Sequence, residues 1–344
     1  MNSIIHILLS VSIATLSLAA HADSAGLLSQ AQAANTTRYQ FALSNNAEIR
    51  NTSDNKAFTI WWQPTATTPA GVIVTLHGHD SYATDEFYLW QPYAQTKGYA
   101  ILALQWWFGA GEAINDYYLP QEMYPIIANL LTEKGVKPGA VLFHGYSRGS
   151  ANSYGVTALD AVSGNRFITM TLSNSGGAAA DFPPNQQIVA GVFGAKPYSG
   201  IQWVMYCGEK DPDPTTSGCP GMTAAKDWVT QYGATFKLLI DDPNGGHGGF
   251  MTNSANVNTA LAQFAPSNRY ADADSVLDWA ENQYPTLLTP HATSVIGYGY
   301  YYRCYGNGTT CVGAKNDDLF LYQNGKITQV GRVQDYLPLI GSTK

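Results

Sequence analysis

Short runs of consecutive apolar residues recur along the chain and alternate with stretches of helical spacing. Runs at 57–62, 71–76, 98–104, 167–172, 201–207 and 235–240 are each about as long as a strand. Near-continuous apolarity of this kind is what a strand buried on both faces requires. Between them, 84–97, 121–134, 150–161 and 222–232 have helical character. The clearest is 121–134, where Met123, Ile126, Ile127, Leu130 and Leu131 share one face and Gly135 follows as a cap. Strand and helix in alternation predict βαβ units and a mostly parallel sheet over residues 38–265. Residues 23–37, rich in Ala, Ser and Gln, are expected to form a flexible leader.

The texture changes near Ala265-Pro266-Ser267. Beyond it, 271–284 carries one helix pattern, with Val276, Leu277, Trp279 and Ala280. Short Tyr-rich strands follow, punctuated by Gly306-Asn307-Gly308 and Asn324-Gly325. Residues 266–344 are therefore expected to form a small C-terminal α+β accessory domain. No internal repeat is evident.

Composition narrows the function classes. Only 12% of the 344 residues are charged and the net charge is −7. The few Lys and Arg are unclustered, which argues against nucleic-acid binding. Residues 4–20 are almost wholly apolar or small and lead to Ala20-His21-Ala22, an A-x-A cleavage pattern. This predicts a signal peptide over residues 1–22, hence a secreted or periplasmic protein, even though no Lys or Arg precedes the apolar run. No later stretch is long and apolar enough for stable membrane insertion.

Four cysteines, Cys207, Cys219, Cys304 and Cys311, fall in two local pairs. In an exported protein these read as disulfides. Three connectivities are open. Local pairing is favoured because each pair brackets a loop rich in Gly, Pro, Asn or Thr. The spacing does not suit zinc, and His77 with His79 lacks a third ligand, so no metal is expected.

The candidate chemistry centres on 141–150, where an apolar run enters Gly145-Tyr146-Ser147-Arg148-Gly149 and a small-residue helix follows. G-x-S-x-G at a strand-to-helix turn is the nucleophile-elbow pattern. A serine hydroxyl needs a histidine to take its proton, and the histidine needs a carboxylate on its other nitrogen. Both stand in the required order after later strands. Asp211 follows the 201–207 strand, with Asp213 as its rival in the same loop, and His247 follows the 235–240 strand between glycines. The backbone amides of Arg148 and His79 are the expected oxyanion donors. Trp106, Trp107 and Tyr117, in the loop after the 98–104 strand, are the candidate substrate-binding aromatics.

These residues carry a family resemblance. Leu76-His77-Gly78, Gly145-Tyr146-Ser147-Arg148-Gly149, Gly208-Glu209-Lys210-Asp211 and Gly246-His247-Gly248 resemble the α/β-hydrolase superfamily. More narrowly, they look like secreted bacterial esterases of the polyhydroxybutyrate-depolymerase and feruloyl-esterase type. The resemblance implies an α/β-hydrolase fold, a Ser147–His247–Asp211 triad, an acyl-enzyme intermediate and no cofactor. Around Asp278-Trp279-Ala280-Glu281 and Tyr300-Tyr301-Tyr302-Arg303 the chain also resembles a small C-terminal domain of secreted Gram-negative proteins, which implies no activity. The expected function is a carboxylic ester hydrolase, with polymeric esters among its substrate classes. A serine peptidase on the same fold and a binding protein with a vestigial triad are the competing readings. Oligomeric state is not legible in the sequence.

Overall fold

The apolar runs, including the one that enters the elbow, lie side by side in one sheet. The computed structural model of the chain describes residues 23–266, apart from 65–67, 164 and 179–181, and the backbone of five strands between 291 and 332. The described chain opens with helices α1 (Ser24–Ala34) and α2 (Thr36–Ser44), then strands β1 (Glu48–Asn51) and β2 (Phe58–Trp62). Next come β3 (Gly71–Leu76), α3 (Ala83–Lys97), β4 (Tyr99–Leu104), α4 (Pro120–Glu133), β5 (Val141–Tyr146) and α5 (Arg148–Ser163). They are followed by β6 (Ile168–Asn174), α6 (Pro183–Val189), β7 (Gln202–Gly208), α7 (Cys219–Gln231) and β8 (Thr235–Asp242). Two short helices, α8 (Gly249–Thr252) and α9 (Ser254–Leu261), complete this unit.

The eight strands are ordered β1-β2-β4-β3-β5-β6-β7-β8. β1 and β2 pair antiparallel and β2 joins β4 antiparallel, whereas every pairing from β4 to β8 is parallel. Every residue of β3, β4 and β6 is buried, as continuous apolar runs demand. The edge strand β8 instead alternates, with Lys237 among its less buried positions. β5 lies between β3 and β6, so its carboxyl end, which carries the elbow, is central. A crossover on each side of it opens the cleft in which such sheets place ligands.

The segment 23–37 is not a loose leader. Asp23 caps α1 by accepting from the Gly26 amide at 2.8 Å, and Asn35 caps α2 by accepting from Arg38 at 3.1 Å. Leu27 and Ala31, one helical turn apart, are fully buried. Burying Leu27 alone is worth about 1.5–3 kcal/mol. The Ser24 amide donates to the Asn55 carbonyl at 3.0 Å, and Arg38 pairs with Asp85 of α3 at 2.9 Å. Small, polar residues hid these helices in the sequence; packing against the core makes them.

The C-terminal strands β9 (His291–Gly297), β10 (Tyr300–Tyr305), β11 (Thr310–Lys315), β12 (Asp318–Gln323) and β13 (Lys326–Arg332) form an antiparallel sheet in sequence order. Gln323 pairs with Lys326, flanking the Asn324-Gly325 turn signal. Cys304 stands opposite Cys311 in the register of β10 and β11; their side chains lie outside the described residues. The expected signal peptide and the 271–284 helix also fall outside them. No helix among the described residues is long and apolar enough to cross a membrane.

Candidate active site

Ser147 sits between β5 and α5 with φ of +54°, a left-handed conformation that side chains rarely adopt. The turn is held from both sides. The Ser147 amide donates to the carbonyl of Asn174, at the end of β6, at 2.8 Å. A Cβ at Gly145 would stand 2.3 Å from the Gly149 carbonyl oxygen, and one at Gly149 would stand 2.5 Å from that of His77. Both glycines of the pattern are therefore steric requirements of the elbow.

His247 and Asp211 meet this serine from two adjacent strand ends. His247 Nε2 lies 2.7 Å from Ser147 Oγ, and His247 Nδ1 lies 2.7 Å from Asp211 Oδ2. Asp211 is buried, while Ser147 and His247 are half-buried and open to a ligand. The two loops are laced together: the Glu209 amide donates to the Asp242 carbonyl at 3.0 Å and Lys210 to that of Gly245 at 2.9 Å. The disulfide Cys207–Cys219 joins the end of β7 to the start of α7 and so closes the Asp211 segment into a loop. Asp213 does not compete. Its carboxylate accepts from Thr215 Oγ1 and the Thr216 amide, and so caps its own turn.

Further residues hold the histidine loop, and nothing in the sequence marks them for that part. Asp242 accepts from the amides of Asn244 and Gly245, and its other oxygen accepts from Asn256 at 2.8 Å. The Asn256 bond, with those amides, holds its carboxyl below the usual carboxylate range. The Tyr206 hydroxyl donates to the Gly246 carbonyl at 3.4 Å, and burial pushes this phenol up to about 12. It is therefore a protonated donor at neutral pH. His144, three residues before Ser147, is fully buried and accepts the Trp90 indole N–H at 3.1 Å; its ring stacks on Phe250 just beyond the histidine loop.

The expected oxyanion donors adjoin Ser147. A Cβ at Gly78 would lie 3.3 Å from that of Ser147, which shows how closely the loop after β3 passes. Among the described residues, neither the His79 nor the Arg148 amide donates a hydrogen bond. Arg148 opens α5, where the first amides have no partner within the helix. His77 plays a structural part. Its Nδ1 bonds the Gly78 carbonyl at 2.8 Å, and its Nε2 accepts the Trp106 amide at 3.4 Å. Burial lowers its pKa to about 4, so the ring is neutral.

A cavity of about 380 Å³ opens beside the elbow, lined by Trp106, Ile114, Tyr117, Leu119, Arg148 and Phe182 among others. Of the candidate aromatics, Trp106 and Tyr117 line this cavity. Trp107 is not among the lining residues; its indole donates to the Gly111 carbonyl at 3.0 Å and pins the loop instead. Ile114, Leu119 and Phe182 had no sequence signal that tied them to Ser147. Among the described residues, one grouping has metal-ligand types, Cys207, Cys219 and Asp241, and its sulfurs are spent in the disulfide.

No family model matches the sequence, and no curated relative does. Solved structures similar to the chain include esterase PE8, at 16% identity and a TM-score of 0.46, over 62% of this chain and 97% of that one. A carboxylesterase from Mesorhizobium loti shares 15% identity, with a TM-score of 0.46, over 63% of this chain and 99% of that one. Acyl-protein thioesterase 2 of Zea mays shares 18%, with a TM-score of 0.42, over 59% and 97%. These likenesses are faint in sequence and superposition alike, and the architecture is defined by the strand order and the elbow. By those two features the chain has the α/β-hydrolase fold.

Proposed function

We propose that the protein is an exported serine hydrolase that cleaves carboxylic esters. The observation that carries this reading is the hydrogen-bonded line Ser147–His247–Asp211 at the strained elbow. In the proposed cycle, Ser147 Oγ attacks the ester carbonyl as His247 Nε2 takes its proton. The charge that develops on the carbonyl oxygen is met by the amides of His79 and Arg148. His247 then protonates the departing alcohol, leaving an acyl group on Ser147. Water, deprotonated by the same imidazole, releases the acid. Asp211 holds the Nδ1–H tautomer and stabilises the imidazolium.

Export is supported by the residues 1–22 pattern and agrees with the Cys207–Cys219 disulfide. The resemblance to polyester- and feruloyl-cleaving enzymes puts polymeric esters among the candidate substrates. The test is hydrolysis of p-nitrophenyl butyrate together with labelling by a fluorophosphonate. Wild type should turn over the ester and take the label at Ser147, and folded Ser147→Ala should do neither. Unchanged turnover in Ser147→Ala would end the proposal.

A further inference from the structure

We propose that the cavity beside Ser147 receives an acyl chain ending in a carboxylate, and that Arg148 recognises it. This deepens the esterase reading and rests on Ser147 being the nucleophile.

Arg148 follows Ser147 directly and lines the cavity. Trp106, Ile114, Leu119 and Phe182 give the walls an apolar surface suited to a short alkyl chain. Among the described residues, the guanidinium is held in place without being neutralised. It lies over the Tyr117 ring, 4.6 Å from the centroid, and donates to the Glu112 carbonyl at 3.3 Å. Neither contact is a counter-charge. Of the five N–H groups, one is used in that bond.

Other arginines of this chain are paired differently. Arg38 pairs with Asp85 at 2.9 Å, and Arg50 with Glu133 at 2.6 Å. Glu112, which offers Arg148 only its backbone, directs its carboxylate to His79 Nε2 at 3.4 Å. That carboxylate is 73% exposed, so water and salt weaken its effect on an anion in the cavity. Among the described residues, no carboxylate forms an ion pair with Arg148. A planar fork held over an aromatic ring, at one wall of an apolar pocket, matches a carboxylate in shape and charge. The substrate class is then the half-ester of a short dicarboxylic acid.

The test compares ethyl hydrogen glutarate, ethyl pentanoate and ethyl 5-(trimethylammonio)pentanoate, which differ at the far end of the acyl chain, by titrating released acid. Wild type should favour the anionic over the neutral ester by about tenfold in kcat/KM, with the cationic ester the poorest. In Arg148→Gln the anionic-to-neutral ratio should fall to about one, chiefly through KM, while Arg148→Lys keeps part of it. The ratio is internal to each variant, so lower folding yield cancels. Equal rates on the anionic and neutral esters in wild type, or an undiminished ratio in Arg148→Gln, would overturn the proposal.

A second measurement separates it from the esterase reading. Ser147→Ala should bind ethyl hydrogen glutarate by calorimetry, and the Ser147→Ala/Arg148→Gln double variant should not. If wild type hydrolyses no ester but this binding pattern holds, the esterase reading fails and the assignment of Arg148 stands.

Discussion

Asp211 accepts the amide of Asp213 on one carboxylate oxygen, at 2.9 Å, and turns the other toward His247 at 2.7 Å. The neighbouring acids of one loop thus divide two tasks: Asp213 shapes the turn and Asp211 faces the imidazole. Asp211→Asn should leave the fold intact and lower kcat by about 10³–10⁴-fold, because an amide favours the wrong histidine tautomer. Asp213→Asn should cost less than about tenfold. Steady-state kinetics on a short p-nitrophenyl ester check both, and a larger loss in Asp213→Asn would reverse the assignment.

The Cys207–Cys219 bridge closes the loop that presents Asp211, with a sequence separation of 12. Removing a bridge over so short a loop should cost about 2–4 kcal/mol. Cys207→Ser/Cys219→Ser should therefore melt at a lower temperature than wild type and lose activity before the fold unfolds. Thermal melts and residual-activity curves, with and without a reductant, read this directly.

Tyr206 dictates two glycines of the histidine loop. A Cβ at Gly249 would meet its hydroxyl at 2.2 Å, and one at Gly245 would meet it at 2.1 Å. Gly249→Ala should displace the loop and reduce kcat sharply. At Gly249 the next ring atom, Cζ, is 3.4 Å away, an ordinary contact. Tyr206→Phe in the Gly249→Ala background should therefore restore activity in part. A double variant no better than Gly249→Ala would show that the clash is not the cause.

Two buried groups titrate with opposite effects on stability. Burial lowers the His77 pKa to about 4, so the unfolded chain binds its proton more tightly. The stability that His77 contributes is present above its unfolded value, near 6.5, and is lost as pH falls toward 4. Asp160 is fully buried and burial pushes its carboxyl up to about 6, although the Ile168 and Phe167 amides donate to it. Here the folded state holds the proton more tightly, so its contribution is present near pH 4 and lost as pH rises through 6. Each effect is worth about 3 kcal/mol at most. Urea titrations between pH 4 and 6.5 should show the stability gap between wild type and His77→Gln shifting in favour of wild type as pH rises. The gap to Asp160→Asn should shift the other way. Slopes of the same sign would contradict this account.

The parts of this protein governed by local rules are legible in its residues alone. Continuous apolar runs specify strands buried on both faces, and β3, β4, β6 and β7 lie within a residue or two of where those runs stand. Gly145 and Gly149 were legible because only glycine allows backbones so close, and the chain order of Ser147, Asp211 and His247 follows from placing one loop after each of three strands. Tertiary structure decided what depends on residues far apart in the chain. Helices α1 and α2 exist because Leu27 and Ala31 of the first and Ala42 of the second find a core that their own sequence does not announce. Asp211 rather than Asp213 reaches His247 because the turn between them points the two carboxylates in different directions. Trp107 turned to its own loop, while Ile114, Leu119 and Phe182 joined Arg148 around one cavity. Such groupings come from packing across the sheet's carboxyl edge, where chain positions carry no periodic signal and only distance in space brings side chains together.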